Sequence, residues 1–102
     1  MFTLAFNFRE QEVMRITEKE KLFKALGDRN RLAIMDLIKE KEMSAGRILA
    51  EIKMGQSTLS HHMKILCDSG IVNSRKDSRW VYYSINKEAA DDLIAVIKGW
   101  TE

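Results

Sequence analysis

The stretch GQSTLSHHMKIL, residues 55–66, gathers the side chains of this chain best suited to chemistry: two adjacent histidines, two serines and a threonine. A shared metal ion fits them poorly. Adjacent helix positions project about 100° apart, whereas two ligands from one helix need a spacing of three or four. Cys67, the only cysteine, stands about 140° around the wheel from His62, so it completes no local site and reads as a small packing residue. No H-E-x-x-H, P-loop, G-x-S-x-G or dinucleotide glycine pattern occurs. Neither catalysis, nor a metal, nor a cofactor is therefore expected.

On the same wheel Leu59, Met63 and Leu66 share one side, with His62 at its margin, while Ser57, Ser60, His61 and Lys64 share the other. The second face is short, polar and cationic, with no large acid on it. Such a face enters a DNA major groove without steric obstruction. Gln56, at the helix start, suits adenine, and Ser57, Thr58 and Ser60 suit several bases. A polar helix face is also simply what a surface helix presents, so the neighbouring elements must decide.

Those neighbours are legible. Residues 9–17 carry Val13 and Ile16 three apart among charges, which predicts a helix. Thr17 followed by Glu20 has capping-box spacing, which predicts a second helix starting there and stopping at Gly27. Asp28 caps RNRLAIMDLIKEK, whose Leu32, Ile34, Met35, Leu37 and Ile38 predict a central core helix. Ser44 caps AGRILAEI, and the short KMG joint then leads into GQSTLSHHMKIL, an arrangement that reads as helix-turn-helix. After Gly70 the period changes to two: Trp80, Tyr82 and Ser84 alternate with Val81, Tyr83 and Ile85. KDSR lies between two extended runs as a hairpin tip, with the basic residues Arg75, Lys76 and Arg79 placed there for phosphates. Asn86 caps a last helix bearing Leu93, Ile94, Val96 and Ile97, with Trp100 close behind.

Bulk properties agree with one unit. The chain has 102 residues, 45% hydrophobic and 31% charged, no proline and five scattered glycines. That length supports a single core burying roughly two-thirds of the unfolded surface. No apolar run approaches the ~20 residues that cross a bilayer, and the opening MFTLAFNF lacks a cationic lead-in, so neither a membrane partner nor a signal peptide is expected. A lone cysteine fits a reducing cytoplasm. Residues 55–85 set Lys64, Arg75, Lys76 and Arg79 against Asp68 and Asp77, whereas residues 86–102 set two lysines against four carboxylates. The first segment suits an anion and the second does not.

The fold class is thus mainly α with a small β-hairpin: a winged helix-turn-helix of five or six helices and a two-stranded wing. LFKALGDRNRLAIMDLI, GQSTLSHHMKILCDSGIV and RKDSRWVYYSI, in uninterrupted order over roughly residues 20 to 97, resemble the ArsR/SmtB family of small bacterial and archaeal transcriptional repressors. The resemblance implies a dimeric winged helix whose first and last helices form the subunit interface, with QSTLSHHMKIL as recognition helix and SRKDSRW as wing. It departs in four places. DRNRL lacks the proline that the family often has there, and Ser78 stands where its wing turn usually carries glycine. The Cys-Val-Cys pair of many metal-sensing members is replaced by Ser44 and Gly46, and the last helix offers Glu88, Asp91 and Asp92 without histidine or cysteine. Neither familiar sensor site is expected, and the effector stays unassigned.

The expectation is one domain over 1–102: helix-turn-helix at about 44–68, wing at about 71–85, dimerisation helices at about 8–17 and 86–100. It would bind double-stranded DNA at an inverted repeat as a homodimeric repressor. Gln56, Ser57, Thr58, Ser60, His61, Lys64, Arg75, Lys76 and Arg79 would contact DNA, and Phe6, Phe8, Val13, Leu93, Ile97 and Trp100 would line the dimer interface. The alternative is a winged-helix protein-interaction module without DNA binding.

Overall fold

The computed structural model describes residues 8–102. Five helices and a three-stranded antiparallel sheet follow in the order α1 (Phe8–Leu26), α2 (Arg29–Ile38), β1 (Met43–Ser44), α3 (Ala45–Glu51), α4 (Gln56–Ser69), β2 (Val72–Asp77), β3 (Trp80–Ile85) and α5 (Lys87–Thr101). No helix among the described residues is long and apolar enough to cross a membrane.

The two helices expected around Thr17 are one. Nothing in residues 9–25 breaks the 3.6-residue repeat, and the Thr17 hydroxyl donates back to the Val13 carbonyl at 2.9 Å rather than capping a new start. Glu20 lies 3.5 Å from the Lys24 ammonium, one turn onward, instead of reaching back to the Thr17 N–H that the continuous helix already uses. The helix after Asp28, expected over 29–41, ends at Ile38, but the predicted caps and the stop at Gly70 are in place. Asp28 accepts from the Asn30 and Arg31 N–H groups at 2.8 and 3.1 Å, Ser44 from Arg47 at 3.1 Å, and Asn86 from Ala89 at 3.2 Å. Each satisfies a donor that the first helical turn leaves without an intrahelical acceptor. Gly70 ends α4 at φ 93°, a left-handed conformation that favours glycine.

Ile34 and Ile38 of α2, Ile48 of α3, Leu59, Met63 and Leu66 of α4, Ile71 and Val72, and Leu93 of α5 form the core, with Leu22 and Ala25 closing it from α1. Leu32, expected in that core, is exposed; it lies about 200° around α2 from Ile34, and only the Ile34–Ile38 side turns inward.

The sheet order is β1-β3-β2, so the expected two-stranded wing gains a third, two-residue strand. Ser44 pairs by backbone with Tyr82 while its hydroxyl caps α3, which pins the start of the helix-turn-helix to the wing. In the hairpin Asp77 opposes Trp80, leaving Ser78 and Arg79 as a two-residue loop. Ser78 takes φ 60°, the positive angle that hairpin loops of this length require at their first central position. The turn therefore forms without the family's glycine.

Candidate nucleic-acid interface

The helix-turn-helix consists of α3, a turn over residues 52–55, and α4. Helix α4 buries Leu59, His62, Met63 and Leu66 and exposes Gln56, Ser57, Thr58, Ser60, His61 and Lys64. All six residues expected to face DNA on this helix are therefore on its open side. Gly55 provides no side-chain cap, and the first turn of α4 carries no acid. The positive end of the helix dipole and its N–H donors are left to solvent or to an anion. Lys64 reaches one turn onward to Asp68 at 3.1 Å, and both side chains remain largely exposed.

The two histidines diverge. His61 projects outward, whereas His62 is 8% exposed and its Nδ1 lies 3.2 Å from Arg31 Nη1. A guanidinium only donates, so Nδ1 accepts and the ring proton sits on Nε2. The same guanidinium donates from Nε to the Ala25 carbonyl at 2.6 Å and, more weakly, from Nη2 to that of Lys24 at 3.4 Å. One arginine of α2 thus satisfies the carbonyl end of α1 and grips the inner face of α4. Asp28 caps α2 three residues earlier, and the Arg31 N–H that it accepts holds its carboxyl below the usual aspartate value. Sequence reasoning missed this clasp. The margin position of His62 on the wheel and the retained Asp28 and Arg31 were its only traces.

The wing register separates the basic residues. Because Cβ atoms alternate along a strand, Ser74, Lys76, Val81 and Tyr83 share one face and Arg75, Asp77, Trp80 and Tyr82 the other. Arg75 and Lys76, expected together at the tip, are strand residues on opposite faces; Arg79 alone lies in the turn. The Arg75 guanidinium lies 4.6 Å from the centroid of the Tyr82 ring and donates to both carboxylate oxygens of Glu42, from Nε at 3.0 and 3.2 Å and again from Nη2. Those bonds hold the Glu42 carboxyl below its usual value. Arg79 stacks over Trp80 at 5.2 Å. Among the described residues, ion pairs engage Lys64 and Arg75 but not Lys76 or Arg79. Two further exposed cations lie nearby on the helix-turn-helix, Arg47 on α3 and Lys53 in the turn. Their positions in a short capped helix and its joint were signal enough to include them.

Cys67 is half-buried on α4 beside Ser74, and burial pushes its thiol up. The residues expected at a subunit interface fall into three groups. Val13, Ile97 and Trp100 are exposed, joined by Met14, Ile16 and Ile94, and Trp100 stacks on Phe23 at 6.1 Å between ring centroids. Leu93 is buried in the protomer's own core at 6% exposure and presents little surface to a partner. Phe6 lies outside the described residues, as does the Phe8 side chain.

The family model described as bacterial regulatory protein, arsR family, matches residues 28–74, from the α2 cap into β2. The arsenical resistance operon repressor of Staphylococcus aureus is 40% identical over 81 residues, spanning 79% of this chain and 78% of that one. The transcriptional activator HlyU of Vibrio cholerae is 30% identical over 76 residues, 74% of this chain and 70% of its own, and the solved HlyU structure superimposes with a TM-score of 0.69 over 86% of this chain and 97% of that one. A homodimeric winged helix-turn-helix DNA-binding domain from Mycobacterium bovis, 24% identical, matches the fold with a TM-score of 0.74 over 98% of this chain and 92% of its own. At 40% identity to the Staphylococcus aureus repressor over 79% of this chain and 78% of that one, this chain belongs to the arsR family of bacterial regulatory proteins.

Proposed function

We propose that this protein is a cytoplasmic, homodimeric transcriptional repressor that reads an inverted-repeat operator as one winged-helix unit. The observation that carries the reading is the open polar face of α4, anchored from below by Leu59, Met63 and Leu66 and flanked by a wing whose Lys76 and Arg79 form no ion pair among the described residues. Gln56, Ser57, Thr58, Ser60 and His61 supply base or near-base contacts, and Lys64, Arg75, Lys76 and Arg79 hold phosphates and register. The repressor assignment follows the Staphylococcus aureus relative, the arsenical resistance operon repressor.

Dimerisation rests on where the large apolar side chains are left exposed. Of eight among the described residues, six lie on α1 and α5: Val13, Met14, Ile16, Ile94, Ile97 and Trp100. Such concentration on two terminal helices marks an association surface. Two-fold symmetry then sets the recognition helices ~34 Å apart, one helical turn of DNA. Sedimentation showing a monomer at micromolar concentration overturns that part.

The division of labour is tested by binding titrations over a set of duplexes. Lys76→Ala weakens every sequence alike and lowers the salt slope by about 0.9, the value of one phosphate contact. Ser60→Ala and His61→Ala change which sequence is preferred. Identical behaviour of the two classes refutes the assignment, and a purified protein that retards no genomic fragment at low salt supports an interaction module instead.

A further inference from the structure

The wing carries three cations, yet one is already engaged by the protein itself. Arg75 and Tyr82 are direct cross-strand partners, and Tyr82 pairs on its other side with Ser44. The guanidinium lies across the Tyr82 ring toward the segment that precedes β1, where Glu42 waits with both carboxylate oxygens. Asp77 adds a second carboxylate at 3.9 Å from Nη1. The arginine fork matches carboxylate and phosphate equally well, so Glu42 fills the position that a DNA phosphate would take. Both partners stay partly open to solvent, at 53% for Arg75 and 36% for Glu42, so exchanging one anion for the other needs no rearrangement of the core. An exposed pair of this kind contributes little to stability.

We propose that Glu42 is an intramolecular stand-in for a phosphate: it occupies Arg75 in the free protein and so limits how many phosphates the wing engages. This inference rests on the DNA-binding reading above. Lys76 and Arg79 bind phosphate directly, whereas Arg75 does so only in competition with Glu42. Glu42 is thereby a residue that tunes affinity without touching DNA.

The test is a salt titration of the full-length protein on a random-sequence duplex about three helical turns long, comparing Glu42→Gln, Arg75→Gln and the double variant with the unaltered chain. Glu42→Gln steepens the dependence of log affinity on log salt by about 0.9, so its advantage is about 3.5-fold greater at ~50 mM than at ~200 mM salt. The gain vanishes when Arg75 is already glutamine, because the released fork is then absent. Two results overturn the inference while leaving DNA binding intact: an unchanged slope in Glu42→Gln, or a gain that persists in the double variant, which would reflect only the loss of a negative charge. Absence of any complex with the unaltered protein at low salt overturns the DNA-binding reading, and the inference with it.

Discussion

Replacing Arg31 by methionine keeps much of the side chain's apolar length but removes the guanidinium that ties three helices together. Its Nε bond to the Ala25 carbonyl, at 2.6 Å, and its Nη1 contact with His62 Nδ1, at 3.2 Å, are ordinary charge-assisted hydrogen bonds. The 3.4 Å contact with the Lys24 carbonyl is too long to count as a strong one. A hydrogen bond to a charged group contributes about 1.5–3 kcal/mol, and a buried acceptor left bare costs about 1–3. Ala25 is 1% and His62 8% exposed, so both acceptors would lose their partner away from water. Arg31 itself is only half-buried, which favours the lower ends, and we expect a loss of about 3 kcal/mol. At a urea slope near ~1.5 kcal/mol/M the unfolding midpoint then falls by about 2 M at fixed protein concentration. Arg31→Lys keeps the charge, but a single ammonium cannot span both acceptors, so it recovers roughly half. DNA binding should fall more than stability explains at temperatures where the variant is folded, because His62 is the point where α2 holds α4. Unfolding free energies of both variants within about 0.5 kcal/mol of the parent, the range of ordinary surface changes, refute the clasp.

Three further outcomes follow from the caps and the cysteine. Asp28 has its carboxyl lowered in the fold, chiefly by the Arg31 N–H; its contribution is therefore complete above the unfolded value near 3.8 and is lost as pH falls through the lower folded value. Acid unfolding of Asp28→Asn, followed by circular dichroism, should show a shallower fall below that pH, and an unchanged acid limb contradicts the cap. Gly70→Ala meets no atom within 4 Å, so its effect is purely the φ of 93°. About 1–2 kcal/mol of backbone strain, partly offset through the unfolded chain, predicts a net loss near ~1 kcal/mol in urea unfolding, and none at all would mean the turn relaxes. Cys67, its thiol raised by burial, stays protonated at neutral pH and should react with iodoacetamide more slowly than a free thiol, accelerating in urea; equal rates in both conditions contradict its packing against β2.

Local signals carried much of this protein. The caps Asp28, Ser44 and Asn86, the stop at Gly70 and the change to a two-residue repeat near Trp80 are short-range preferences of backbone and side chain, and the elements follow them. So does the division of α4 into an outer polar and an inner apolar face, since a wheel needs only one segment's own sequence. Thr17–Glu20 misled because a capping box competes with helix continuation, and with no glycine or proline nearby continuation won.

What tertiary structure alone decided is pairing between segments distant in sequence. Position 42 meeting position 75, and position 31 meeting position 62, depend on sheet register and on the packing of α2 beneath α4, neither of which any local window contains. The same holds for Arg75 and Lys76: adjacency in sequence suggests one basic patch, but the strand pleat sends them to opposite faces. Leu93 and Ile97 likewise repeat at helical spacing, and only packing against the rest of the protomer buries the first while leaving the second exposed. Residue type set which contacts each segment could make; the long-range arrangement chose which of them were made.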